Sequence, residues 1–99
     1  MKRYEMQKHL VLSTSHITKK DAYLLNNTLL TLIRDYLAYG WRVYVGNDDT
    51  VNDIIRSAKK AGLSLEFRAL LRLAYRLKCP YLVLDRDGQE RDDLPVFDW

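Results

Sequence analysis

Apolar positions along this chain fall into short groups with different spacings. In HLVLSTSHI, residues 9–17, an apolar run stops at small hydroxyl residues, the pattern of a short strand buried on both faces and running into a polar loop. Thr18 with Asp21 three residues later reads as an N-cap, and Ala22, Leu25, Leu29, Leu32, Ile33 and Tyr36 then recur at helical spacing up to Gly40. This spacing predicts a helix over about residues 19–39. Leu24, Leu30 and Leu37 widen its apolar surface beyond one stripe, so the helix is either deeply buried or covered in part by another chain.

WRVYVG, residues 41–46, is aromatic and β-branched and reads as a second strand. Thr50 with Asp53 repeats the capping pattern, and VNDIIRSAKKA then runs to Gly62, a C-terminal cap. Ser64 opens a third helix whose Leu65, Leu70, Leu73, Ala74 and Leu77 face a core until Pro80 ends it. PYLVLD reads as a third strand. Asp87-Gly88 is a turn signal, and the terminal LPVFDW fits either an antiparallel edge strand or a segment lying across the body.

No repeat, low-complexity tract or linker interrupts this order, so residues 1–99 read as a single α/β domain, with 86–99 an acidic tail or edge-strand segment. The order β-α-β-α-α-β with right-handed crossovers predicts a small three-layer sandwich. Its sheet would be mainly parallel, with three strands and a C-terminal edge strand as an option, and helices would cover both faces.

Ninety-nine residues, 47% of them hydrophobic, supply one core. No apolar run approaches the roughly 18 residues of a membrane span, and the opening MKRYEMQKH is too polar for a secretory signal, so no membrane association and a cytoplasmic setting are expected. Cys79 is alone, which excludes an internal disulfide and a structural zinc site and suits buried apolar filler. The net charge of +3 hides an asymmetry: residues 1–84 carry 14 Lys and Arg against 7 Asp and Glu, whereas residues 85–99 carry 2 against 6. Either the acidic end folds over the basic body or each serves a different partner.

A parallel sheet would gather its polar strand ends at one edge: Ser13, Thr14, Ser15 and His16 from the first strand, Asn47, Asp48 and Asp49 from the second, Asp85 and Asp87 from the third. Two enzyme readings attach to that grouping. A hydroxyl, an imidazole and a carboxylate could form a nucleophilic site, or His16, Asp48, Asp85 and Asp87 could hold a divalent metal for a small hydrolase or nuclease. Against both, Ser15 and His16 point to opposite sides of an extended strand, and a calcium loop starting at Asp85 lacks its glutamate at the twelfth position. The same residues equally suit turns and caps. On that turn-and-cap reading no catalytic or metal site is expected; Gly40, Gly46, Gly62 and Gly88 are dispersed, with no phosphate-cradling motif, so nucleotide binding is unsupported and no cofactor is expected.

The most specific surface signal is LEFRALLRLAYRLKCP, residues 65–80, which sets Arg68, Arg72 and Arg76 four apart with no carboxylate at the positions that stack beside them. Such residues drift by about 40° per step of four and form one charged ridge. Arg56, Lys59 and Lys60 on the preceding helix, with Lys78, would extend it, and Tyr75 would offer an aromatic face. Solvent or the acidic tail, an acidic protein surface, or a nucleic-acid backbone could each meet this ridge. A balance of +3, core-like placement of the aromatic residues and the lack of a groove-reading or RNA-binding motif weigh against nucleic acid.

HLVLSTSHIT, YGWRVYV and CPYLVLDRDGQERDDLPVFDW, with LDRDG and LPVFDW the most distinctive pieces, together resemble an uncharacterised family of small bacterial proteins carried on plasmids, integrative elements and prophages. The resemblance assigns no activity. It implies a mobile-element accessory protein, a class that includes inhibitors of host defence such as anti-CRISPR proteins. The sequence therefore points to a non-enzymatic binding protein that docks through its basic helix face, using Arg56, Lys59, Lys60, Arg68, Arg72, Tyr75 and Arg76. Nucleic-acid-backbone binding is the alternative, and a metal-dependent hydrolase the third reading. A homodimer through the first helix, Trp41 or the terminal FDW stays open.

Overall fold

The computed structural model describes residues 7–99. The elements are β1 (His9–Ser13), a single 3-10 turn at Thr14–His16, α1 (Lys19–Leu25), β2 (Arg34–Leu37), β3 (Gly40–Tyr44), α2 (Val51–Lys60), α3 (Leu65–Arg76) and β4 (Tyr81–Asp85). No helix among them is long and apolar enough to cross a membrane.

Capping chemistry starts two helices where the sequence predicts. Thr18 and Asp21 form a reciprocal capping box at the head of α1, and the Ser64 hydroxyl accepts from the Phe67 N–H at the head of α3. At α2 the device differs from the expected Thr50–Asp53 box. Thr50 makes no side-chain cap bond to the helix; the Asn47 side chain instead accepts from the main-chain N–H groups of Asp49 and Thr50. Gly62, at φ +95°, takes the left-handed conformation expected just past a helix end.

The expected helix over 19–39 is corrected to seven residues followed by a turn and a strand. Arg34 supplies the reason. Its guanidinium donates to the carbonyls of Leu25, Asn27, Leu30 and Leu32, satisfying the groups that a broken helix leaves open and folding the 26–33 segment around itself. Asn27 reinforces the break by accepting from the Leu29 N–H. Gly40, read from the sequence as a helix stop, begins β3 instead. A β-carbon there would collide with the Leu84 carbonyl, so glycine lets β3 start directly against β4.

The four strands form one mixed sheet in the order β1-β4-β3-β2. Only β1 and β4 are parallel; β3 runs antiparallel to both β4 and β2. This overturns the mainly parallel three-stranded sheet, because the residues assigned to the end of a long helix form β2 and reverse the direction in which the chain enters β3.

The layers also number two rather than three. Buried residues of all three helices, among them Leu25, Ile55, Phe67 and Leu71, join Leu12, Trp41, Val43, Leu82 and Leu84 in one cluster. Strand alternation places His9, Val11, Arg42, Tyr44, Tyr81 and Val83 on the opposite face, and none of these belongs to that cluster. There His9 stacks on Tyr81, Tyr44 tilts against the same ring, and the Arg42 guanidinium lies 5.3 Å from it. Cys79 is buried, as expected of a filler residue.

Candidate partner-binding surface

The orientation of α3 is set from below and from its head. Phe67, Leu70, Leu71 and Ala74 are buried, which turns Arg68, Arg72 and Arg76 toward the opposite side. At the head, Asp21 is 1% exposed and joins two helix starts: its carboxylate accepts from the Thr18 N–H of α1 and from both the N–H and hydroxyl of Ser64. A carboxylate there also opposes the positive ends of two helix dipoles.

Arg72 and Arg76 are exposed, and Arg68 is half-buried with its Nε 3.4 Å from the Ser64 carbonyl. None of the three makes an ion pair among the described residues. The ion pairs found are Arg42–Asp35, Arg56–Asp53 and Arg91–Asp93. Lys59 and Lys60 are exposed at the end of α2, and Lys78 sits beyond α3 in a left-handed conformation at φ 59°.

Tyr75 is not the free aromatic face that the sequence suggests. Its hydroxyl donates to the Asp48 carboxylate, and that hydrogen bond, ahead of desolvation and the carboxylate's charge, holds the phenol above its ordinary titration range. A cavity of about 480 Å³ lies beside this contact, lined by Asp48, Tyr75, Arg76, Lys78 and Cys79 among others. A second groove of about 300 Å³ runs between α2 and α3, with Val51, Ile55 and Ala69 in its lining beside Arg72 and Tyr75.

The acidic terminal segment lies along residues 13–17 and forms no strand. Gln89 accepts from the Ser13 N–H, the Phe97 N–H donates to Ser15, the Ser15 hydroxyl donates to Glu90, and the Trp99 indole donates to Ile17. His16, 1% exposed, is the central clamp. Its Nε2 accepts from the Arg91 N–H at 2.9 Å, and its Nδ1 lies 2.7 Å from the Pro95 carbonyl. A carbonyl can only accept, so the proton belongs on Nδ1 and both ring nitrogens are committed. Beside it, the Arg91 guanidinium hydrogen-bonds the Asp93 carboxyl and holds it below the usual carboxylate range.

The grouping of strand ends into an enzyme site breaks apart. Because β3 is antiparallel to β4, with Gly40 opposite Asp85 and Tyr44 opposite Tyr81, Asn47, Asp48 and Asp49 follow the end of β3 that lies away from Ser13, His16, Asp85 and Asp87. Asp85 accepts from the Asp87 N–H in a tight turn, and Ser13 accepts from the Ser15 N–H. Among the described residues no group of three or more His, Cys, Asp or Glu is placed to hold a metal ion.

Residues 9–99 match the model of a family described as "Family of unknown function (DUF5983) C-terminal domain". The chain belongs to this family. The matched span begins at the first residue of β1 and takes in every element described above, the clamped terminal segment included. No curated protein and no solved structure matches the chain.

Sequence reasoning missed Arg34, the Asp21–Ser64 link and the clamping role of His16. Only Asp21 carried a usable signal, since a carboxylate at the third position of a helix already has a capping role before its distant partner is known. Arg34 and His16 act through contacts with main-chain groups, which leave no pattern in side-chain types.

Proposed function

We propose that this member of the family is a non-enzymatic binding protein that docks on an acidic protein surface through the exposed side of α3. The carrying observation is that Arg68, Arg72 and Arg76 share one helix side with no acidic partner among the described residues, while the acidic terminal segment is hydrogen-bonded along residues 13–17. Arg56 adds to the surface because its exposed pair with Asp53 neutralises it only weakly. Lys59, Lys60 and the anchored Tyr75 complete it.

One feature favours protein over a nucleic-acid backbone. The groove beside Arg72 has an apolar lining of Val51, Ile55 and Ala69, which a side chain of a partner protein would fill. The resemblance to proteins of plasmids, integrative elements and prophages supplies the setting of the proposal: an accessory protein whose target is a component of host defence.

Affinity purification from a native host, with and without nuclease, tests the reading. A protein partner retained by the wild-type chain after nuclease treatment and lost with Arg72→Glu supports it. Retention that disappears with nuclease transfers the surface to nucleic acid, and retention unaffected by Arg72→Glu removes α3 from the interface.

A further inference from the structure

Exposed apolar side chains concentrate on one border of the sheet. Leu29 is 86% exposed, Ile33 70%, Tyr36 56% and Tyr39 53%, and Leu37 adjoins them. All flank or belong to β2, which ends the sheet and pairs only with β3. Natural edge strands are usually guarded by charged side chains, proline or a bulge. β2 has none of these in effect. The guanidinium of Arg34 is turned back onto the carbonyls of Leu25, Asn27, Leu30 and Leu32, and Asp35 is paired with Arg42 on the same strand pair.

The hydrogen-bond alternation identifies which main-chain groups are free. The Tyr44 N–H donates to Ile33, so Ile33 and Tyr44 form a bonded pair, and in an antiparallel ladder bonded pairs alternate with non-bonded ones. In the register Arg34–Val43, Asp35–Arg42, Tyr36–Trp41, Leu37–Gly40, the groups of Asp35 and Leu37 therefore face β3, while those of Arg34 and Tyr36 face outward. Among the described residues no main-chain bond reaches the outward groups of Arg34 or Tyr36. The opposite border of the sheet is less open, since the Ser13 N–H at the end of β1 is taken by Gln89.

We infer that β2 pairs antiparallel with β2 of a second copy, joining two four-stranded sheets into one of eight strands with the two-fold axis at Tyr36. A second copy fits because the edge complements itself, and the charges select the register in which it does so. Antiparallel self-pairing brings residues of matching alternation face to face. A two-fold at Asp35 would oppose two carboxylates, and one at Arg34 two guanidinium groups. Centred on Tyr36, the outward groups of each Tyr36 bond those of the other, two aromatic rings meet across the axis, and Leu37 of each copy lies opposite Asp35 of the other. The flanking Leu29, Ile33 and Tyr39 extend the apolar contact beyond the short strand. A closed two-fold also uses the edge up, which keeps the pairing from propagating into a filament.

Sedimentation over a concentration series, together with amide hydrogen exchange of the wild-type protein, tests this without reference to any other partner. The expected result is a monomer–dimer equilibrium in which the Tyr36 N–H is protected at high concentration and exchanges rapidly on dilution, while the Asp35 N–H is protected throughout. Tyr36→Lys, which opposes two ammonium groups at the axis, should shift the equilibrium to monomer at least tenfold with an unchanged melting transition in dilute solution. Leu37→Lys should preserve the dimer, because the new ammonium faces Asp35 of the partner copy. A wild-type monomer at every concentration, a dimer whose Tyr36 N–H exchanges at the monomer's rate, or growth into larger polymers would each overturn the inference. Arg72→Glu should leave this equilibrium unchanged, which separates the β2 contact from docking through α3.

Discussion

Ser64 donates both its main-chain N–H, at 2.8 Å, and its hydroxyl to the buried carboxylate of Asp21, 43 residues earlier in the chain. One side chain thus fixes where α1 and α3 both begin, and the direction of α3 determines where its arginines point.

Removing that carboxylate should cost more than an ordinary surface substitution. Asp21→Ala leaves the N–H groups of Thr18 and Ser64 without their buried acceptor, a loss of about 3 kcal/mol. Urea unfolding of the variant against the wild type measures it. A change below about 0.5 kcal/mol, the range of unremarkable surface substitutions, would contradict the structural role assigned to Asp21.

The terminal segment should depend on one imidazole. His16→Phe keeps a ring in the buried position but removes the acceptor for Arg91 and the donor to Pro95, at a cost of about 2 kcal/mol. Hydrogen exchange at the amides of Arg91 and Phe97 should accelerate at least tenfold, with those of α3 much less affected. Uniform acceleration across the molecule would show that His16 supports the whole core rather than the clamp.

Tyr75 gives a pH signature. Its folded-state titration lies above the ordinary value of 10.0 because the protonated phenol donates to Asp48. The contribution to stability is therefore complete below the unfolded titration point and is lost as the pH rises through the raised folded value. Tyrosinate absorbance at alkaline pH should show one of the seven tyrosines titrating earlier in Asp48→Ala than in the wild type. Superimposable curves would remove the hydrogen bond from the account.

These residues also show what the sequence could carry. Thr18 with Asp21, and Ser64 ahead of an apolar stripe, announce helix starts because capping is local chemistry. The end of α1 was not legible: Leu29, Leu32, Ile33 and Tyr36 fit a helical period, and the interruption comes from Arg34 binding carbonyls it can reach only once the chain has turned. From that one misreading the rest followed. With β2 hidden inside a helix, the element order implies a parallel β3, gathers Asp48 with His16 and Asp85, and puts helices on both faces of the sheet, none of which the antiparallel β3 and the one-sided core allow. The arginine spacing on α3 was legible because it depends only on the helix being a helix; the placement of the terminal acids was not, since their segment is held by main-chain groups of Ser13, Ser15 and Ile17 and by the His16 ring and Ser15 hydroxyl 75 residues away in the chain.

The central proposal is that the basic side of α3 is a docking surface whose middle residue, Arg72, contributes little to folding. Arg72→Glu reverses charge at the middle of the ridge, on an exposed side chain with no ion pair among the described residues. Titration calorimetry of wild type and variant against the protein partner recovered after nuclease treatment, with melting curves of both, decides the matter. The account predicts affinity weakened at least a hundredfold and a melting transition unchanged within about 2 °C, the shift that a few tenths of a kcal/mol gives a domain of this size. Undiminished affinity, or a loss of binding matched by a comparable loss of stability, would contradict it.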